Sequence, residues 1–341
     1  MRDPGEPVRL QATDLGGFCG IATSDGSGHV AASITAFDTS TVLRLFDGSG
    51  ASLGRFAYGS GPLFEQLAGF VGTSRPPPSS NSDVFAIDAH GNELGRDGPG
   101  SLLAQAEDPL GGVVVVSYSA GVNELAAYDG RAHLRWRVAL EPGLRGGGGR
   151  ITVGVDRLGN TLVLTAEDAV TDFRGQWVDH DGHAGPQFTG TADFGTDPFN
   201  VQLLLAPRVG DGLFLGEGPP RNGWLAQFDS LAPAVRSPPS WLSSRPLQVH
   251  VARGGRAYAF FELPGTGDQP PCAQRIEIVA PSGRSCGTAA FPVAGASCTT
   301  RPNIDAGYDG TVIQAFPPEM QRHNDDGTVT CTWQSWPGFL R

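Results

Sequence analysis

Residues 176–184 read QWVDHDGHA: an apolar pair, Trp177 and Val178, runs into Asp179, Gly182 follows, and a second short run leaves the turn. Asp at the first turn position accepts backbone N–H groups and Gly supplies positive φ, so the stretch is a hairpin by its chemistry. The same pattern recurs. VLRLFDGSGASLGRF turns at Asp47, VFAIDAHGNELGR at Asp88, ELAAYDGRAHLRWRV at Asp129, WLAQFDSLAPAVR at Asp229 and MQRHNDDGTVTCTW at Asp325. RIEIVAPSGRSCGTA carries Ala280 in the Asp position. Successive copies are 41, 41, 50, 50, 51 and 45 residues apart. Apolar and polar residues alternate up to each turn, the period of a half-buried strand. A fixed period of this size marks stacked or radial repeats.

Between these hairpins lies a second pair. Residues 151–167, ITVGVDRLGNTLVLTAE, place one strand before the turn DRLGN and another after it. Residues 104–119 (AQAEDPLGGVVVVSYS) and 303–316 (NIDAGYDGTVIQAF) are close relatives. Two hairpins per period give four strands per period. Seven periods of four short antiparallel strands describe an all-β fold, a seven-bladed β-propeller, whose blades usually run to about 40–45 residues. The expected blades span 18–58, 62–97, 102–140, 150–191, 201–236, 247–293 and 303–336 of a single domain, 1–341. Blade two is the shortest and its inner hairpin the weakest in pattern; residues 75–82, RPPPSSNS, read as a stiff surface loop. Residues 5–12, GEPVRLQA, precede the first blade and are expected to add or cover an edge strand, since an open edge invites aggregation. No stretch keeps helical periodicity for ten residues; the best attempt, 63–71, contains Gly69.

The chain has 35 acidic and 24 basic side chains, every one of the latter Arg, for a net charge of −11. Nucleic acids and anionic membranes need clustered cations, so neither is an expected main partner. No apolar run reaches the roughly 18 residues of a membrane span. Residues 1–10 lack the apolar core of a signal peptide. Low Met, many Gly and Thr, and five Cys suit an exported bacterial protein, secreted, periplasmic or on the cell surface; a cytoplasmic protein is the alternative.

Cys19, Cys272, Cys286, Cys298 and Cys331 are odd in number and contain no C-x-x-C pair, which makes zinc-ribbon and redox-motif readings poor. In blade six, Cys272 starts the third strand and Cys298 lies just past the fourth, both at the end away from the turn near Ser282. The expected disulfide is Cys272–Cys298, with isolated buried thiols as the alternative.

Asp179, His180, Asp181 and His183 put two His and two Asp within five residues, a nitrogen and oxygen set that metals accept. The Asp matches the turn position of the other blades, which favours a solvated turn over an ion site. Inner strands of a propeller converge on its axis, and Gln202, Gln248, Thr152, His250 and Asp305 are the polar residues expected there. His250 with Asp305 of the next blade forms a candidate acid–base pair; mutual hydrogen bonding beside a water-filled channel is the plainer reading. Trp241, in a Pro/Ser loop, is the candidate for stacking on a sugar or peptide. GRSCG at 283–287 has the G-x-S-x-G spacing but falls in a hairpin turn, not on a strand-to-helix elbow. No motif names a cofactor.

The turn DRLGN at 156–160 and the strand after it resemble the D-x-x-G-N-β pattern of NHL-like and related bacterial secreted β-propeller repeats. The likeness is good in blade four, partial in blades three and seven, and faint in blade two; elsewhere only the period carries it. The Trp-Asp pair of WD40 repeats, the kelch double Gly with its paired Tyr and Trp, and the Asp box of sialidases are missing. The resemblance implies a propeller serving as a binding scaffold or, in some members, as a lyase or hydrolase with an axial site. No catalytic motif of those members matches here residue by residue.

Two functions are therefore expected. The first is a non-catalytic scaffold that recognises a protein or carbohydrate ligand through loops on one face. The second is an axial lyase or hydrolase using His250 and Asp305, with or without a metal.

Overall fold

The computed structural model describes residues 6–36, 40–59, 61–66, 68–75, 81–119, 121–141, 144, 150–156, 158–166, 172–191, 204–206, 213–217, 225–229, 235–236, 248–251, 256–262, 273–292, 303–307, 309–315 and 321–340. Every regular element among them is a β-strand, and all pairings are antiparallel. After β1 (Val8–Leu15), the strands β2 (Phe18–Ser24), β3 (Val30–Thr35), β4 (Thr41–Phe46) and β5 (Ser52–Tyr58) form a four-stranded sheet in chain order. Next come β6 (Leu63–Glu65), β7 (Phe70–Ser74), β8 (Ser82–Ile87), β9 (Glu93–Glu107), β10 (Val113–Ser119), β11 (Val122–Tyr128) and β12 (Leu134–Ala139). These seven also follow chain order, but their sheet is composite. The 15-residue β9 pairs with β8 through residues 93–100 and with β10 through 101–107.

Three further four-stranded sheets follow. They are β13 (Arg150–Val155) to β16 (Ala184–Thr191) by way of β14 (Thr161–Ala166) and β15 (Asp172–Val178), then β17 (Leu204–Ala206), β18 (Leu213–Glu217), β19 (Leu225–Asp229) and β20 (Val235–Arg236). The third holds β21 (Gln248–Val251), β22 (Ala257–Glu262), β23 (Ala273–Val279) and β24 (Ser285–Pro292). The last sheet contains β25 (Asn303–Ala306), β26 (Val312–Ala315), β27 (Gln321–His323) and β28 (Thr328–Trp336). There β28 pairs with β26 through 334–336 and with β27 through 329–331. Its other edge takes β1 from Val8 to Leu15, so the N-terminal segment completes the last sheet instead of adding to the first.

Several second strands are mostly apolar because their sheets are covered on both faces. Val113–Val116 of β10 are all 0 % exposed. The fourth strands alternate instead, as in LRWRVA of β12, since one edge meets water. The cores lie between sheets. Leu43 and Leu45 pack on Phe70, Phe85 and Ile87; Val114 and Leu125 on Val153 and Val163; Tyr258 and Phe260 on Val312 and Trp336. First strands gather side by side: β2 touches β6 and β25, β9 touches β13, β13 touches β17, and β17 touches β21.

The hairpin turns share one construction. In the Asp47 turn the Asp amide donates to the carbonyl of Ala51 and the Gly50 amide to the carbonyl of Asp47, while Oδ1 accepts the amides of Ser49 and Ala51. The same bonds close the turns at Asp88, Asp129, Asp156 and Asp179. The fourth residue sits at positive φ, which is why it is Gly at 50, 91, 159 and 182; Ala132 takes it at φ 59°. In the hairpins turning at Asp47, Asp88, Asp129 and Asp179 the strand register then slips by one, as between Gln176 and Val178, whereas the Asp156 hairpin keeps its register. In the last sheet the first turn residue is Asn324, not Asp325: Asn324 donates to the Thr328 carbonyl and Gly327 to that of Asn324. The two adjacent Asp residues hid this register in the sequence: here Asp326 accepts the Thr328 amide, and the Asn324 side chain donates to the Thr328 and Thr330 hydroxyls.

Turn carboxylates also join sheets. Asp25, 0 % exposed, accepts the amides of Ser27 and His29 on Oδ1, and on Oδ2 both His29 Nδ1 and the amide of Gly69 from the next sheet, the last at 2.7 Å. Asp309 accepts the Thr311 amide within its own sheet and the Ser24 hydroxyl of the first sheet at 3.2 Å. The first and last sheets are held further by a disulfide, Cys19–Cys331, closing 312 residues of chain, and by Asp14 of β1, which meets Arg44 at 3.2 Å and Arg55 at 3.1 Å.

Two outcomes check this account. Asp25→Ala leaves buried amides unpaired on two sheets and should cost about 3 kcal/mol in urea unfolding; Asp47→Ala, whose amides turn to water, should lower Tm less. Reducing Cys19–Cys331, or replacing both with Ser, should cost on the order of 4 kcal/mol, because the closed loop is long; an unchanged midpoint would show that β1 alone closes the two ends.

Candidate functional site

The Asp179 cluster is a turn first. Oδ1 of Asp179 accepts the amides of Asp181 and His183, and Oδ2 meets His183 Nδ1 at 3.1 Å. His183 holds the position where Asn92 and Asn160 hand a side-chain N–H to their own turn Asp, and where His29 and His133 approach theirs. Asp179, Asp181 and His183 bring one ligand atom each to within 4.8 Å, and His180 stands outside that group. Its Nε2 lies 3.3 Å from Asp181 instead. The His180 carbonyl accepts Arg135 Nη2 and Trp136 Nε1 from the neighbouring sheet. Arg135 Nη1 also meets Asp108 at 2.6 Å. Burial pushes the Asp108 carboxyl above its ordinary range, against the lowering by the Leu110 amide and Arg135.

Gln248 and His250 lie on β21, Asp305 on β25 and Thr152 on β13, each the first strand of its sheet. Thr152 is half-buried. The side chains of Gln248, His250 and Asp305 lie outside the described residues, as do Gln202, Trp241, Cys272 and Cys298 altogether. The described disulfide, Cys19–Cys331, is one the sequence reading did not select, and Cys286 is free and exposed.

Open space flanks β6. That strand has three residues, where β2 has seven and β13 six. Two cavities share Gly61 beside it. One, about 350 Å³, is walled by Ile21, Thr23, Ser33, Thr41, Tyr58 and Leu63. The other, about 380 Å³, is walled by Thr73, Arg75, Ser82, Leu102, Leu103 and Gln105. Gly61 separates them because no larger residue fits: a Cβ there would stand 2.0 Å from the Thr73 carbonyl oxygen. Tyr58 donates its hydroxyl to the Gly61 carbonyl at 3.1 Å, and the Gly59 amide donates to Ser74 Oγ at 2.9 Å. Both cavities lie toward the β3–β4 and β7–β8 connections, at the end of the sheets away from the Asp turns. Ile21 and Leu103, 46 % and 44 % exposed, put apolar groups on first strands beside them. A third cavity, about 400 Å³, lies at the turn end beside Ser27, His29, Asp47 and Asp309, whose carboxylates belong to the turns already described. The signal for the first two was the weak pattern of blade two's inner hairpin. Residues 75–82, read as a loop, supply Arg75 and Ser82.

No family model matches the chain, and no curated protein matches it in sequence. Solved structures do match. The chain is similar to prolyl oligopeptidase B from Galerina marginata, with a TM-score of 0.53 and 9 % identity over 88 % of this chain and 47 % of that one, so it spans about half of that protein's length. It is also similar to the WD40 domain of Toxoplasma gondii coronin, with a TM-score of 0.50 and 9 % identity over 97 % of this chain and 88 % of that one. At these identities the likeness shows the fold alone, and the matched parts of both neighbours are propeller-like. The chain is thus an all-β, propeller-like protein of antiparallel sheets. Among the described residues no helix is long and apolar enough to cross a membrane.

Tyr58 offers a check on the cavity wall. Burial pushes its phenol up to about 12. The folded state then holds this proton more tightly than the unfolded one, so the stability involved is complete below pH 10 and lost as pH rises toward 12. Phenolate absorbance of Tyr58→Phe should match the parent near pH 10 and fall below it toward pH 12.

Proposed function

We propose that the chain is a seven-bladed β-propeller of the NHL-like, exported bacterial kind, serving as a binding scaffold for a protein or carbohydrate ligand at the end of the sheets away from the Asp turns. Seven blades follow if β9 is counted in two, once as the outer strand of the second blade and once as the inner strand of the third. The single observation that carries the binding reading is the pair of cavities beside β6. Together they offer hydroxyls, one cation and exposed apolar side chains, the mixture that fixes a ligand's orientation while burying its surface. The Cys19–Cys331 disulfide favours an oxidising compartment. An axial lyase or hydrolase using His250 and Asp305, with or without a metal, is the other reading; the side chains of both lie outside the described residues.

The purified full chain, screened against a glycan array and a peptide array, should bind one of the two classes. Ile21→Glu and Leu103→Glu change exposed residues and put charge at the two cavities, so at least one should abolish that binding with Tm unchanged. Binding indifferent to both changes, or none on either array, would overturn the proposal.

A further inference from the structure

We infer that the cavity lined by Arg75, Ser82 and Gln105 binds the C-terminal carboxylate of a polypeptide ending in an apolar residue. The inference rests on the scaffold reading and names the ligand class of one of its two cavities. Continuing the β7–β8 register, in which Ser74 faces Asp83, sets Arg75 across from Ser82 at the open end of that hairpin. Arg75 is exposed and has no carboxylate partner among the described residues. Arg44, Arg55, Arg96, Arg135 and Arg137 each have one. Ser82 is only 3 % exposed as a residue and borders the cavity, where its hydroxyl can donate. Gln105 accepts the Thr73 hydroxyl on its amide oxygen at 2.7 Å, which leaves its NH₂ group to donate.

The cavity thus gathers donors, and among its described lining residues there is neither Asp nor Glu, in a chain whose net charge is −11. One cation with neutral donors matches a monoanion, and the guanidinium fork matches a planar carboxylate. Leu102 and Leu103 form an apolar wall against the same space. An apolar C-terminal residue carries its side chain and its carboxylate on one Cα and so meets both walls at once. The volume, about 380 Å³, takes one residue and part of the next.

The test uses the immobilised full chain and pools of randomised hexapeptides with free C-termini, beside the same pools amidated. The free-acid pool should be retained roughly tenfold better and be enriched in an apolar last residue. Arg75→Gln should erase the difference between pools, and Ser82→Ala should reduce it with the fold intact by circular dichroism. N-acetyl-leucine is the small-acid arm. It should compete at least tenfold more weakly than the retained hexapeptides; equal competition would mean a free small acid and would overturn the assignment to a polypeptide. Equal retention of acid and amidated pools would overturn the inference and leave the scaffold standing. Retention of neither would overturn it as well, and the glycan array then decides whether the scaffold reading survives.

Discussion

A turn carboxylate has two oxygens, and its own hairpin needs only one of them. Asp25 shows what the second does: Oδ1 closes the turn, and Oδ2 takes an amide from the next sheet. Asp309 reaches the first sheet through Ser24, and Asp108 is tied through Arg135 to the carbonyl of His180 one sheet further on. The residue that ends a strand therefore also spaces its sheet from the neighbour. Oxygens facing water, as in the Asp47 turn, close a hairpin and nothing more. The contrast between inner and outer turns follows from burial, because an amide that is buried must find an acceptor.

A sheet that is apolar on both faces cannot stand alone, so each needs two neighbours, and the first and last sheets need each other. The chain meets that need three times. β1 crosses to the far end of the sequence to pair with β28, Cys19 bonds to Cys331, and Asp14 is gripped by Arg44 and Arg55 of the first sheet. Leu10, Cys19, Ile313, Cys331 and Trp333 bury one shared core at the junction. These contacts protect an edge that would otherwise be open to other chains.

Where the repeat is weakest, space opens. β6 spans three residues and cannot fill the gap between the β2 and β9 strands on either side, and Gly61 and Pro62 pass through it with Gly61 backed against Thr73. The cavities there are a local cost to packing, against junctions such as those of Leu43 and Leu45 with Phe85 and of Val114 with Val153, which apolar side chains fill. The polar lining of the cavities comes mostly from the ends of β3, β4, β7 and β8, with Thr23 from β2 and Gln105 from β9.

The strand and turn chemistry was legible in the amino acids. Alternation, Asp at the head of the turn and Gly at positive φ are local requirements, met within five residues, and they marked the hairpins at 47, 88, 129, 156 and 179. Among the described turns, the misplaced one, Asn324 against Asp325, lay where three polar residues stand in a row. The DHDGH cluster was also readable as a turn, since its His takes a position that Asn or His fills in other turns. What the tertiary structure alone decided are relations across long separations. The Cys19–Cys331 bond, the placing of β1 in the last sheet, and the meeting of Arg75, Ser82 and Gln105 depend on how sheets pack around one another. Packing of that kind is set by burial summed over whole faces, and no short window of sequence contains it.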